Sequence, residues 1–366
     1  MVRLPPYAEA VRTAGPEAIG PEIGPAGAPA TGPATGPVPT AAQGVPDTAV
    51  AVLEEFRGAC LASGYTERHR RPVVSRHDPS VRYTNSTISV LKPLLSGGVS
   101  ERAFLVQPAL RLRNLDHVRR TGEMSPFGCS FMSFGALGPS GDAPGLTALA
   151  RDLLVDRLGI PAHDVRLRVL ADDLDLREAG VAAGLDVAPT TDTPGAFRHV
   201  FGMPGVTGRN ANVALRGPRG WSDVANVIVI EEDGRAIGVE LAFGVNMVLT
   251  QAMGLAHPVL AGPAAAALAH GVSDLIALDA LSSAAVLAME GVRPVARGRG
   301  QNYRSLLKLL GERTNGPAEV WRPAALAVAA AEERLRRHAS PPADDVDELP
   351  PDQLAGTLEA DLDRVC

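Results

Sequence analysis

The 366-residue chain has no run of 18 or more apolar residues, which excludes a membrane-spanning helix. No apolar stretch follows the first charges at the N-terminus, so a secretory signal is not expected and a cytoplasmic protein is. Cysteine is scarce. Cys60, Cys129 and Cys366 are odd in number and far apart, too few for a disulfide framework or a zinc site of their own, and no metal site is expected. Lysine occurs only at Lys92 and Lys308, a usage that says nothing about chemistry. Nucleotide-loop and nucleophile signatures are missing as well. There is no Gly-x-Gly-x-x-Gly at a strand-to-helix turn, no Walker loop and no Gly-x-Ser-x-Gly. Gly298-Arg299-Gly300 has no third glycine after it and sits among basic residues, which makes it a weak dinucleotide candidate.

What is present is enough apolar material for a real core, 45% of the chain, and a length that suggests two or three domains. The net charge of −6 is uneven. Residues 1–47 carry −2 and residues 338–366 carry −7, so the body between them is +3. Local arginine clusters on such a body can contact a polyanion, although the overall charge does not announce one. From Gly15 to Pro46, 15 of 32 residues are Gly or Pro, so residues 1–46 are expected to be a disordered tail. Asp47-Thr48 reads as an N-cap. Val52, Phe56 and Cys60 then recur at helical spacing, and Gly64 stops the helix. Residues 65–135 look strand-rich, and a helix is expected from about Pro144 to Gly159. Val165, Leu167 and Val169 alternate with Arg166 and Arg168, the pattern of a half-buried strand. Residues 185–222 are rich in Gly, Pro and Asn and read as loop. Asn226 to Phe243 reads as a hairpin turning at Asp233-Gly234. Helical composition dominates from Pro258 to about His338, with one weak helix in the acidic tail at Gln353–Val365. Elements in this order predict an α+β domain over 47–256, a helical domain over 257–338 and an acidic tail over 339–366.

Four segments go further. Residues 64–98 contain His77, Asp78, Pro79, Ser80, Thr84, Asn85 and Lys92 in order, and residues 107–118 read QPALRLRNLDHV. Residues 125–135 read SPFGCSFMSFG, and residues 287–310 carry Gly291, Val292, Pro294, Arg299, Gly300, Tyr303 and Arg304. In this order the segments resemble the catalytic and tRNA-recognition regions of alanyl-tRNA synthetases. The resemblance spans about residues 50–310. It implies a class II synthetase-like antiparallel sheet flanked by helices, followed by a helical domain that contacts the tRNA acceptor stem. It also implies that Arg111, on a central strand, grips a phosphate-like group. Read from the residues alone, Arg111 is a surface arginine on an alternating strand, and His77 with Asp78 orders a turn. By the resemblance, Asn85 and Asn212 join Arg111 as catalytic residues, and His77, Asn226, Phe127, Phe131 and Asn246 line the substrate site. Arg297, Arg299, Tyr303, Arg304 and Lys308 contact tRNA, where composition alone would give a solvated face.

The chain departs from the family where the family handles ATP. The stretch LAFGVNMVLTQAMG at 241–254 contains no arginine and no acid. The family's Asp falls near Ala242 or Phe243, its Arg near Leu249, and its metal-facing Glu becomes Asn212. Adenylate formation creates a pyrophosphate leaving group that needs cations and Mg²⁺, so ATP, Mg²⁺ and any other cofactor are not expected. No counterpart of the family's editing and C-terminal domains is expected either. The chain is therefore similar to truncated relatives in antibiotic biosynthesis that aminoacylate sulfonamide or sulfamate compounds. The expected partners are a charged tRNA and a small-molecule acceptor, with no DNA and no membrane, and a homodimer is possible. Alanine is the amino acid the family implies, with isoleucine open. The alternatives are an ATP-dependent amino acid ligase and a non-catalytic tRNA-binding paralogue.

Overall fold

In this computed structural model, residues 45–74, 82–191, 194–314, 318–343 and 347–365 are described. Most of the Gly/Pro-rich tail and His77 fall outside them. The expected α+β architecture is present as a large, mostly antiparallel sheet flanked by helices, with a helical region after it.

Helix α1 (Val45–Ala62) begins two residues before the expected cap. Asp47 does not cap it but pairs with Arg334 across the molecule. Val52, Phe56 and Cys60 are all fully buried, as their spacing requires. The Tyr65 N–H closes the helix by donating to the Cys60 carbonyl over Gly64. Strand β1 (Thr66–Glu67) is followed by the short helix α2 (Ile88–Leu91), strand β2 (Ala103–Leu110), helix α3 (Arg113–Thr121) and strand β3 (Ser130–Gly138). Residues 65–135 are thus less strand-rich than their composition suggests. Helix α4 (Ala143–Arg151) runs on through a wider turn at Asp152–Arg157. Next come β4 (Val165–Leu170), α5 (Leu174–Ala182), β5 (Asp186–Thr190), β6 (Arg198–Val200), β7 (Val206–Gly217), β8 (Gly220–Glu232) and β9 (Arg235–Gly244). The β8–β9 turn has positive φ at both Asp233 and Gly234, the conformation that matches strand twist in a two-residue hairpin.

The 185–222 region corrects the loop expectation, since it contains three strands. In β7, Ala211, Val213 and Leu215 face the core while Gly208, Asn210 and Asn212 face the other way. The alternation was hidden because its outward residues are those common in loops. Gly208 is required by space. A Cβ there would meet the Phe201 ring at 2.9 Å and Ile228 at 2.7 Å.

The strands lie in the order β1-β2-β3-β9-β8-β7-β4-β5, with β6 beside β7. One face packs against α1, α4 and α6 (Val245–Ala252) through Phe56, Phe104, Phe134, Phe243 and their aliphatic neighbours. The opposite face is only partly covered. There Ile88, Leu91, Leu95 and Val99 sit on Leu105, Leu137, Ile228 and Ile230. Gly135 gives α2 room to approach, because a Cβ there would lie 2.7 Å from Thr87 Oγ1.

The helical region comprises 3₁₀ turns at Pro258–Ala261 and Pro263–His270, then α7 (Leu275–Met289), α8 (Gly298–Thr314) and α9 (Ala318–Arg336). The acidic 339–366 segment is no free tail. Its helix α10 (Pro351–Val365) puts Leu354, Leu358 and Leu362 into the same core as α7, α8 and α9. The approach to α10 also pairs with the sheet, where the Ser340 N–H donates to the Val106 carbonyl at 2.9 Å. Within it, Glu348 accepts from Arg70 at 2.8 Å and also pairs with Arg336. Among the described residues no helix is long and apolar enough to cross a membrane.

Candidate functional site

The part of the sheet face not covered by α2 is polar. Register places Arg168, Asn212, Asn226, Ala242 and Gly135 in one row across β4, β7, β8, β9 and β3. Cross-strand partners share a face, so the side chains of this row project together. The Asn212 amide is their hub. Its oxygen accepts from Asn226 Nδ2 at 2.7 Å and from Asn210. Its nitrogen donates to Asp223 Oδ2 at 2.9 Å, and Asp223 in turn takes a 3.0 Å bond from Arg168. The β9 positions between the walls, Ala242 and Gly244, have almost no side chain, which leaves a trough over that strand.

Arg111 lies further along the sheet, just past the end of β2. It follows β2 at the same parity as Gln107 and Ala109, which pair with Ser133 and Phe131. Its guanidinium lies over the Phe131 ring at 4.9 Å, a favourable cation–π placement. Its Nε donates to the Asn85 backbone carbonyl at 2.9 Å. The two terminal nitrogens have no hydrogen-bond or ion-pair partner among the described residues. The side chain is open to solvent, yet its charged end is surrounded by protein atoms. That setting pushes its pKa down to about 10, mainly by burial and secondarily by Arg113, with Glu240 opposing. The group is still a cation at neutral pH, with a free fork of N–H donors of the shape that grips an oxyanion bidentately.

Three further groups on this face carried no sequence signal. Glu240 is enclosed beneath α2, with Thr87 Oγ1 donating to it at 3.4 Å. Burial pushes its carboxyl up to about 7, against the smaller pull of the Thr87 bond, Arg111 and the Ile88 N–H. His199 on β6 pairs in register with Gly208 and so projects onto the same face. Burial first, and Arg111 second, hold its pKa below the ordinary value, with Asn210 opposing. Trp221 lies under Arg166 at 4.1 Å, two strands from Phe131 and so about 10 Å away. Recognising the alternation in β7 would have pointed to Asn210 and its neighbours.

Several expected site residues have other work. The Asn85 side chain accepts from Ser86 and Ser89, so it meets Arg111 only through its carbonyl. Asn246 is buried in α6, and its amide donates to the Pro258 carbonyl at 2.9 Å, tying the helix to the following turn. It does not reach the trough. Phe127 is 48% exposed in the turn before β3, apart from Arg111. Leu249, at the position of the family's arginine, points into the core on the opposite face.

The expected tRNA residues divide. Arg297, Arg304 and Lys308 are spaced by seven and four positions and form one open stripe with Gln301. Arg299 turns aside, and its Nε donates to the Arg82 carbonyl at 3.0 Å. Tyr303 is fully buried, and its hydroxyl donates to Asp361 of α10 at 3.1 Å. It cannot touch RNA without local unfolding. Glu290, a possible partner of these arginines, is committed to the Val73 and Val74 N–H groups and to Arg336 instead.

Among the described residues no three His, Cys, Asp or Glu side chains group as a metal site. No protein-family model matches the chain, and no curated protein matches it. Among solved structures it is similar to an aspartyl tRNA synthetase from Entamoeba histolytica, at 10% identity and a TM-score of 0.34. The match covers 71% of this chain and 66%, just under two thirds, of that one. At those values the likeness carries no argument, and the architecture rests on its own strand register.

Proposed function

We propose that the protein transfers an aminoacyl group from a charged tRNA to a nitrogen of a small sulfonamide- or sulfamate-bearing acceptor. The observation that carries this reading is Arg111, a cation stacked on Phe131 whose terminal N–H groups bond no described protein group. A sulfonyl, sulfamoyl or phosphate-like oxygen pair fits that fork. The opposite wall of amides, Asn210, Asn212 and Asn226, suits neutral polar groups of the aminoacyl ester. Support also comes from the four segments that resemble alanyl-tRNA synthetases, which imply a class II synthetase-like sheet. The Arg297–Arg304–Lys308 stripe would lie against the phosphate backbone. Alanine is the default aminoacyl group and isoleucine the larger option.

The ester is already activated in this reaction, so no ATP is consumed. The stretch 241–254, from the end of β9 through α6, contains no arginine and no carboxylate for a departing pyrophosphate. ATP–pyrophosphate exchange is therefore expected to stay at background with every proteinogenic amino acid. Clear exchange with any one of them would replace this reading by an ATP-dependent ligase.

A further inference from the structure

Asn210 is 1% exposed, and its amide is only half used. The nitrogen donates to Asn212. The oxygen has no hydrogen-bond donor among the described residues, although a buried amide oxygen is costly to leave without one. The polar neighbour that bears on it is the imidazole of His199. Register explains why they meet. His199 pairs with Gly208, and Asn210 is the next β7 residue on that face, diagonal to His199. With no side chain at Gly208 and the Phe201 ring lying over it, the imidazole is guided across the face rather than away from it. Arg111 is the charged group acting on His199 from across the site. Arg209 and Glu231 alternate onto the opposite face, where Arg209 pairs with Asp173, Asp175 and Glu231.

We propose that His199, oriented by Asn210, takes the proton from the acceptor nitrogen as that nitrogen attacks the aminoacyl ester. This rests on the transfer reading above. A ring N–H turned toward Asn210 Oδ1 would leave the other ring nitrogen as a base, the pairing of base and orienting group that general-base catalysis needs. The C–N bond forms as the ester C–O bond breaks. The proton passes from nitrogen to His199 and then to the ribose oxygen, which leaves as a hydroxyl. No oxidant, reductant or metal is required. A neighbouring arginine favours the neutral imidazole, the form that can accept.

The test is single-turnover transfer from alanyl-tRNA and isoleucyl-tRNA to methanesulfonamide, whose nitrogen must lose a proton to react. Rates are measured from about pH 5 to pH 9 for the wild type, His199→Ala, His199→Gln and Asn210→Ala. The wild type should show an acidic limb below the ordinary histidine range and a plateau above it. General-base removal typically costs about 10²–10⁴-fold, so both His199 variants should fall by at least about 100-fold and lose the limb. Added imidazole should restore part of the His199→Ala rate. Asn210→Ala should keep the limb at a lower plateau. An active wild type whose His199 variants keep the limb and stay within about twofold would overturn the role of His199 while leaving the transfer reading intact. A wild type that accelerates neither charged tRNA would overturn the transfer reading and the role together. His199→Gln guards against a folding defect, since its amide can still meet Asn210.

Discussion

On the sheet, Asn212 and Asn226 are 14 positions apart and meet by strand register, while Arg111 and Phe131 are 20 apart and meet as a cation over a ring. From Arg297, just before α8, through Arg299, Tyr303 and Arg304 on it, four residues lie within eight consecutive positions, yet they part company. Arg297 is exposed and Arg304 half-buried, Arg299 holds the 82–83 turn, and Tyr303 is buried against α10. A helix rotates by about 100° per residue, so sequence neighbours point in different directions. A strand has a period of two, so parity and pairing decide what meets. Proximity in sequence was therefore a poor guide to a shared surface in this protein, and strand parity a good one.

The largest expected effect comes from the carboxylate buried under the sheet site. Glu240 has its pKa pushed up to about 7 from an ordinary 4.5. The unfolded chain gives up this proton first, so the contribution to stability falls as pH rises from about 4.5 to about 7 and is level above that. The gap is worth roughly 3 kcal/mol. Glu240→Gln should raise stability above pH 7 and flatten that part of the pH–stability curve in urea melts. The helical side offers the contrast. Asp279, pushed up to about 6 by burial, accepts the Cys129 N–H at 2.7 Å. It should keep its own fall at lower pH in the Glu240 variant. A curve unchanged by Glu240→Gln would mean that this carboxyl is solvated.

Next in size is Arg111→Ala. Loss of a charge-assisted, two-pronged contact contributes about 1.5–3 kcal/mol, or roughly ten- to hundredfold in acceptor affinity. tRNA affinity should hardly move. Equal losses for both ligands would make Arg111 a structural tie to Asn85. Tyr303→Phe tests the other region. Removing the hydroxyl from Asp361 should cost about 1 kcal/mol of stability, read by thermal melting, with no change in the salt dependence of tRNA binding. A flattened salt slope would return this ring to the RNA surface.

The smallest effects should separate the arginines of α8. Arg304→Ala and Lys308→Ala should each reduce the slope of log K against log salt by about 0.7–0.9. Arg299→Ala should leave it unchanged, because that side chain is spent on the Arg82 carbonyl. Filter binding across a salt series decides, and equal slopes for all three variants would erase the division of this helix.

Much of the fold can be read from the residues. The Val52–Phe56–Cys60 spacing, the Val165–Val169 alternation and the Asp233-Gly234 turn each encode their element locally. Strand β7 does not, because its outward residues, Gly208, Asn210 and Asn212, are of the types common in loops. The acidic C-terminal segment carries the helix its sequence suggests, but its packing was not legible, because the leucines of α10 meet α7, α8 and α9, and Glu348 meets Arg70, 278 positions earlier. Of the expected site residues, Arg111 meets Phe131, and Asn212 meets Asn226. His199, Glu240, Asp223 and Trp221 escaped notice because only tertiary placement gives them a role. Asn246 and Asn85 were misplaced because an amide in the sequence does not show which backbone group will claim it.

The central claim is that Arg111 serves a transfer from charged tRNA that needs no ATP. The most direct measurement is incubation of the protein with alanyl- or isoleucyl-tRNA and a sulfonamide acceptor, after enzymatic removal of nucleotides, read by mass spectrometry. The account predicts an aminoacylated acceptor and an equal amount of deacylated tRNA, both lost in Arg111→Ala. Product formed only from free amino acid and ATP, or product undiminished in Arg111→Ala, would contradict it.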